Sequence, residues 1–430
     1  MAEKVKNLIL GAGITGLSAG HHLKRDYLIL EKENNPGGLA RSKKIRGYIF
    51  DFSAHLLHCR TRYFLNWLQK NLNGDLQLHK RNAWVFSYGV YTKYPFQANL
   101  YGLPKKVIKE CIRGLLTIDE ESANREKNFY RWCYKKFGNG IAKHFLIPYN
   151  YKFWTINPSS LTTEWVDGFI PQPEIEDILD GTFDYSRKEF GYHSKFFYPR
   201  NGGIEVFTQK LVEFCRDRII KEEVKELNLK EKWVVTEQGN RYRFHNLIST
   251  IPLPELGKII LDIEKGLRKF FKKLKYTSVI NINLGVNRKE MSKKDWIYFP
   301  ENNLIFYRVG FPMNFASHSV PQGKSSIYID ISYSRWKPVE KEEILTRTLT
   351  DLVRTGILER SDEIEVCDIN DIKYAYIIYD KNWNSAREEI LSWLRKHKVY
   401  CGGRFGAWHY LSMEGCFLEG RNIALELKDV

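Results

Sequence analysis

A chain of 430 residues, 43% apolar and 14% aromatic, carries enough core for roughly two or three packed units and is long for one. Its formal charge of +16 is dispersed among acids, as in Lys221-Glu222-Glu223-Val224-Lys225-Glu226, so solvated faces account for most of it and nucleic-acid binding is not inferred. The longest apolar runs are strand-sized, which excludes a membrane-spanning helix.

Seven cysteines (Cys59, Cys111, Cys133, Cys215, Cys367, Cys401 and Cys416) show neither a C-x-x-C pair nor metal-ligand spacing. They read as reduced thiols of a soluble cytoplasmic protein without a metal site. A strand at the extreme N-terminus leaves no room for a signal peptide.

In chain order, Leu8-Ile9-Leu10 predicts a buried strand, followed by Gly11-Ala12-Gly13-Ile14-Thr15-Gly16 and a helical pattern over 17–23. Gly11 permits a tight turn, Gly13 lets the backbone approach a pyrophosphate, and Gly16 lets helix and strand pack closely. The helix N-terminus adds unpaired N–H groups for phosphates. A second strand, Tyr27-Leu28-Ile29-Leu30, ends at Glu31, an acid placed to accept from a ribose hydroxyl, with Lys32 beside it. This register predicts a dinucleotide site. Asn35-Pro36-Gly37-Gly38-Leu39-Ala40-Arg41-Ser42 follows; its adjacent glycines let backbone pass close to a ligand. Arg41 could neutralise a diphosphate, and the plain alternative is a Gly-rich turn with a solvated arginine.

The pattern then turns helical, with Leu103, Val107, Cys111 and Leu115 on one face and Pro104 suited to a first helical turn. A turn at 198–203 opens a helix over 204–216, and strands over 233–236 and 247–251 return to the nucleotide domain. Strand-like runs at 279–284, 304–309 and 327–333 predict an antiparallel sheet on the substrate side. The tail, 400–427, reads as a last strand and helix closing over the cofactor. The expected class is α/β: a discontinuous Rossmann-like domain (1–95, 196–262 and 386–430), a mainly helical insertion (96–195) and an antiparallel sheet substrate domain (263–385).

The Gly37-Gly38 segment resembles the FAD-binding fold of amine oxidases and protoporphyrinogen oxidases, which implies FAD as the dinucleotide. Further segments occur in the order found in UDP-galactopyranose mutases, especially the eukaryotic type, which the chain resembles along most of its length. They are Asp51-Phe52-Ser53-Ala54-His55-Leu56-Leu57, Tyr94-Pro95-Phe96-Gln97, Gly140-Ile141-Ala142 with Pro148-Tyr149-Asn150-Tyr151-Lys152-Phe153-Trp154, Trp296-Ile297-Tyr298-Phe299-Pro300-Glu301-Asn302-Asn303 with Phe306-Tyr307-Arg308, and Gly403-Arg404-Phe405-Gly406-Ala407-Trp408.

The resemblance implies pyranose–furanose interconversion of a nucleoside-diphosphate sugar. Reduced FAD, with NAD(P)H a possible reductant, attacks the anomeric carbon through N5, expels the diphosphate and releases the sugar from a flavin–sugar adduct. It implies catalytic roles for His55 beside the flavin, for Arg308 as one of two diphosphate arginines, and for Arg404 near the flavin. Tyr94, Gln97, Asn150, Trp154, His193, Trp296, Tyr298, Tyr376 and Tyr410 fall at substrate-binding positions, and Val224, Tyr410, Ser412 and Met413 at cofactor positions.

Three departures stand out. Phe169 occupies the place of the second diphosphate arginine after Trp165. Leu411-Ser412-Met413-Glu414-Gly415-Cys416 replaces an Asn…Asp-His segment, and His193 replaces an asparagine. Loss of one charge-assisted contact is worth roughly 1.5–3 kcal/mol. Two other classes stay open: an FAD oxidoreductase of the amine oxidase and protoporphyrinogen oxidase type, and a flavin-binding protein without catalysis. At single residues the plain alternatives are a satisfied buried histidine for His55, core aromatics for the tyrosines, and a surface ion pair for Arg308.

Overall fold

The computed structural model describes residues 3–72, 74–186, 188–191 and 194–428. Leu8, Ile9 and Leu10 are fully buried because the strand Glu3–Leu10 pairs in parallel on both edges, with Tyr27–Glu31 and with Arg241–Ser249. A central strand with both faces covered reads as a continuous apolar run. The complete sheet runs Val224–Asn228, Trp233–Thr236, Arg241–Ser249, Glu3–Leu10, Tyr27–Glu31, Ile219–Lys221, and Val399–Cys401 joins the second half of Arg241–Ser249 in parallel. Its strands come from the start, middle and end of the chain.

The helix Ile14–Leu23 lies against the last helix, Met413–Glu426. A Cβ added at Gly420 would stand 2.3 Å from the Thr15 carbonyl oxygen, so only glycine allows this approach. Two hydroxyls then bond across the crossing, Thr15 Oγ1 to the Cys416 carbonyl (2.9 Å) and Ser18 Oγ to the Phe417 carbonyl (2.6 Å). The crossing sets the N-terminus of the last helix beside the glycine turn.

The second sheet runs Ile364–Ile377, Tyr276–Val286, Ser325–Tyr333, Arg308–Gly310, Trp296–Tyr298, Ala83–Ser87, Val90–Lys93 and is antiparallel except between Trp296–Tyr298 and Ala83–Ser87. The hairpin at 83–93 thus belongs to this sheet, whereas its position in the chain grouped it with the nucleotide domain. Of the run expected at 304–309 only 308 and 309 are strand, within Arg308–Gly310. The residues before it turn: the Asp351 carboxylate takes the Ile305 N–H at 2.8 Å, and the buried Lys152 ammonium bonds the carbonyls of Phe299 (3.0 Å) and Glu301 (2.6 Å).

Between the sheets lies the helical part. Lys105–Leu115 buries Val107, Cys111 and Leu115 as its spacing predicts, with Pro104 capping it one residue earlier than expected. It touches Phe129–Ile141 backbone to backbone, since a Cβ on Gly140 would meet Cys111 Cα at 2.3 Å. One π-turn, Ala142–Leu146, then leads into Ile147–Trp154. Such turns recur at functional sites, and the helix after this one lends Tyr149, Asn150, Phe153 and Trp154 to the lining of a cavity against the second sheet.

Candidate functional site

The cofactor end lies at the carboxyl ends of the parallel strands. Gly11 adopts φ +94°, and a Cβ on Gly16 would sit 2.0 Å from the Gly11 carbonyl oxygen, so turn and helix are in direct backbone contact. A second turn faces the first: Gly37 N donates to the Ala12 carbonyl at 2.8 Å, and a Cβ on Gly38 (φ +64°) would stand 3.2 Å from Gly13 Cα. Glu31 organises this turn, accepting from Ala12 N at 2.7 Å and Glu33 N at 2.9 Å, while Lys32 stays exposed. Ile14 opens the helix, and Ala40 is buried with its carbonyl accepting from Thr208 Oγ1. Val224 starts the strand just after Lys221, which pairs with Glu31.

Two buried nitrogens in this region have no hydrogen-bond partner among the described residues, Arg41 Nε and His55 Nδ1. A cleft walled by glycine backbone, a helix N-terminus, a carboxylate at the end of the second strand and two unmatched nitrogens fits a flavin dinucleotide. His55 is held neutral: burial first, and then the charges of Arg404 and Arg308, push it down to about 4.

A cavity of about 300 Å³ adjoins this cleft. It brings together Leu39, His55, Tyr94, Gln97, Asn150, Trp154, Trp296, Tyr298, Arg308, Tyr376, Arg404, Tyr410, Ser412 and Met413, contributed by the second sheet, the segments around Leu39 and His55, the helical part and the last loop. His193 lies outside the described residues.

Aromatic rings order the walls. Tyr298 meets Tyr94 at 4.9 Å and Tyr149 at 5.5 Å, and Tyr376 lies 6.4 Å from Tyr410 with the rings 11° from parallel. The Tyr376 and Tyr307 hydroxyls bond at 3.2 Å. Asn150 and Trp154 satisfy each other, Trp154 Nε1 donating to Asn150 Oδ1 at 3.1 Å. Gln97 donates to the Pro171 carbonyl at 2.6 Å, and its Oε1, like Trp296 Nε1, is buried without a partner among the described residues.

The arginines differ in what holds them. Arg308 is bound through Nε (2.9 Å) and Nη2 (2.6 Å) to Asp330, which is fully buried and also accepts from Ser53 Oγ and Asn281 Nδ2. Arg404 donates twice to the Leu411 carbonyl, at 2.8 and 2.6 Å, and lies 4.3 Å over the Tyr410 ring. Arg81 stacks 4.8 Å from Tyr94 and donates to the Phe190 carbonyl. Phe169 packs edge-on against Tyr410 at 4.8 Å.

Sequence reasoning missed Tyr149, Phe153, Arg81 and Asp330. The first two share a helical face with Asn150 and Trp154, so spacing would have found them. Asp330 carried a signal as well, being the one carboxylate within Ile327-Tyr328-Ile329-Asp330-Ile331. Arg81 carried none.

Three arginines and two histidines line the cavity, and no Asp or Glu does among the described residues. No cluster among those residues is suited to hold a metal ion, and no described helix is long and apolar enough to cross a membrane.

The family model for flavin containing amine oxidoreductases matches residues 14–427. Among solved structures, reduced UDP-galactopyranose mutase superposes with a TM-score of 0.92 at 25% identity, over 99% of this chain and 94% of that one. A putative protoporphyrinogen oxidase from Exiguobacterium sp. 255-15 gives 0.76 at 13% identity over 100% and 99% of the two chains. Putrescine oxidase bound to putrescine gives 0.69 at 14% identity over 100% of both. The last two likenesses establish the shared fold alone.

Proposed function

The chain belongs to the flavin containing amine oxidoreductase family, and from that premise we propose that it is an FAD-dependent isomerase of the UDP-galactopyranose mutase kind, acting on an anionic nucleotide sugar. The observation that carries this reading is the charge of the cavity: Arg81, Arg308 and Arg404 line it, Arg308 is offset by Asp330 behind it, and no carboxylate lines it among the described residues. An ammonium substrate such as putrescine would enter that field unpaired, whereas a phosphorylated one is attracted to it.

Arg308, kept in position by Asp330, offers charge-assisted hydrogen bonds to a departing diphosphate, and the hydroxyls of Tyr298, Tyr376 and Tyr410 add neutral donors around it. Neutral His55, on the wall between cleft and cavity, keeps a ring nitrogen unmatched among the described residues. The aromatic walls keep water from an electrophilic sugar. When bound and reduced, for which NAD(P)H is the proposed reductant, FAD supplies a nucleophilic nitrogen for the anomeric carbon.

A second reading, a flavin oxidoreductase acting on a less charged substrate, is favoured by the Phe169–Tyr410 contact, which makes apolar the place of the family's second arginine.

Incubating dithionite-reduced enzyme with UDP-, GDP- and dTDP-sugars and separating the products chromatographically tests the proposal. Ring isomers of one nucleotide sugar are expected. Absence of isomers throughout the panel, together with reduction of the oxidised flavin by some other substrate, would reverse the order of the two readings.

A further inference from the structure

Remote from the cavity, the stretch 261–275 carries six cations (Lys265, Arg268, Lys269, Lys272, Lys273 and Lys275) and two acids (Asp262 and Glu264). Its apolar residues follow helical spacing. Leu267 and Leu274 are buried, and Phe271 packs over Gly257. The cations lie on the other side: Lys265, Arg268, Lys269 and Lys272 are exposed, and only Lys275 is paired, with Asp380 at 2.7 Å.

Among the described residues no carboxylate pairs with the remaining five. The nearby acids serve neutral donors instead. Asp262 accepts from Leu229 N and Lys230 N, and Glu264 from Trp393 Nε1. Those bonds to Asp262 place the 229–232 turn alongside, and Lys230 and Lys232 extend the basic surface. Lys232 in turn belongs to a group with Lys6 and Lys398 around His245, whose ring is 3.2 Å from the Lys398 ammonium. Half-buried Phe270, with the ammoniums of Lys269 and Lys273 at 5.0 and 5.4 Å from its ring, and Leu261, half exposed, supply apolar surface among the charges.

We infer that this face docks the enzyme on an anionic phospholipid surface. Four of the five unpaired cations are lysines, hydrated point charges suited to a diffuse sheet of headgroups rather than to the bidentate reading of a single phosphate. The combination of cations with a few apolar side chains is that of interfacial segments. No residue of 219–278 lines the cavity, so docking leaves the active site unobstructed by these side chains.

The test is cosedimentation of the FAD-loaded protein with phosphatidylcholine vesicles, with and without phosphatidylserine, at low and high salt. Binding is expected only with phosphatidylserine and is lost at high salt. Combining Lys265→Ser, Arg268→Ser, Lys269→Ser and Lys272→Ser, all exposed and outside the site, should weaken it by about two to three orders of magnitude, at about fivefold per cation. FAD content and melting temperature serve as the folding control and should not change. The inference is overturned by absence of binding, by equal binding to uncharged vesicles, by undiminished binding of a folded variant, or by an RNA oligonucleotide that binds more tightly than the vesicles.

Discussion

The cofactor cleft and the substrate cavity share a wall at His55 and Leu39 but are made differently. The cleft is backbone: Gly11, Gly13, Gly16 and Gly38 bring main chain within contact distance of main chain, and most of the recognition groups are amides and a helix end. The cavity is side chain, assembled from residues hundreds of positions apart. A backbone cradle depends on the absence of side chains at a few positions close in sequence, so it tolerates little change and selects a ligand common to many enzymes. A side-chain cavity exchanges one residue at a time. Phe169, packed against Tyr410, is one position where such an exchange is proposed.

The largest effects should come from the cradle. Gly13→Val should abolish FAD binding yet leave a folded protein, because a Cβ there meets only Gly38 Cα, at 4.0 Å. Gly16→Ala should lose the fold itself, since its Cβ would be driven against the Gly11 carbonyl. Flavin absorbance and circular dichroism separate the two outcomes. A flavin-loaded Gly13→Val protein would break the contrast between the regions.

On the cavity side, Arg308→Ala leaves Asp330 charged, buried and without its ion-pair partner, a loss of about 3–5 kcal/mol in unfolding free energy. Adding Asp330→Asn should restore much of that stability. Neither change should alter FAD content, while UDP affinity should fall by roughly one to two powers of ten through loss of the charge-assisted contact. Denaturant unfolding and calorimetry read the two effects independently.

His55 links the regions through pH. Its folded value of about 4 lies below the ordinary 6.5, so between those values the unfolded chain binds the extra proton. The stability its neutrality contributes is complete above pH 6.5 and is lost as pH falls through about 4, on the order of 3 kcal/mol in all. Unfolding midpoints from pH 7 to 4 should show this decline, and His55→Gln should make it shallower by His55's share, since burial also pushes His21 and His58 down to about 4. An identical slope in the variant would assign the acid sensitivity elsewhere.

The smallest effect expected is also the most diagnostic. Phe169→Arg should strengthen UDP binding about tenfold or more if the pocket retains a diphosphate site, as one added charge-assisted contact implies. A neutral or weakened response measured by calorimetry would favour the less charged substrate of the second reading.

What was legible in the sequence follows the same division. The cradle was readable because its signal is local: a buried strand, three spaced glycines and an acid lie within 24 residues, Leu8 to Glu31. The cavity became readable through resemblance at Tyr94, Tyr298, Arg308 and Tyr376, which the fold gathers around one space. The resemblance did not reveal that Arg308 is neutralised from behind by Asp330, a pairing made across neighbouring strands in register. Nor did it place the 83–93 hairpin, whose partner strand, 296–298, lies some 200 residues further along. Local pattern carries no information on which distant strand completes a sheet.

The crossing of the first and last helices has a consequence for the order of events in synthesis. The Thr15–Cys416 bond joins residues 401 apart, and the first strand must await 241–249 for one of its two neighbours. At ordinary ribosomal speed the N-terminal segment therefore spends on the order of half a minute without its final packing partner. The packing around the glycine turn is in this sense completed late, once the last helix has been made. A chain cut short before 413 lacks the helix that covers the dinucleotide turn, however intact the glycines of that turn.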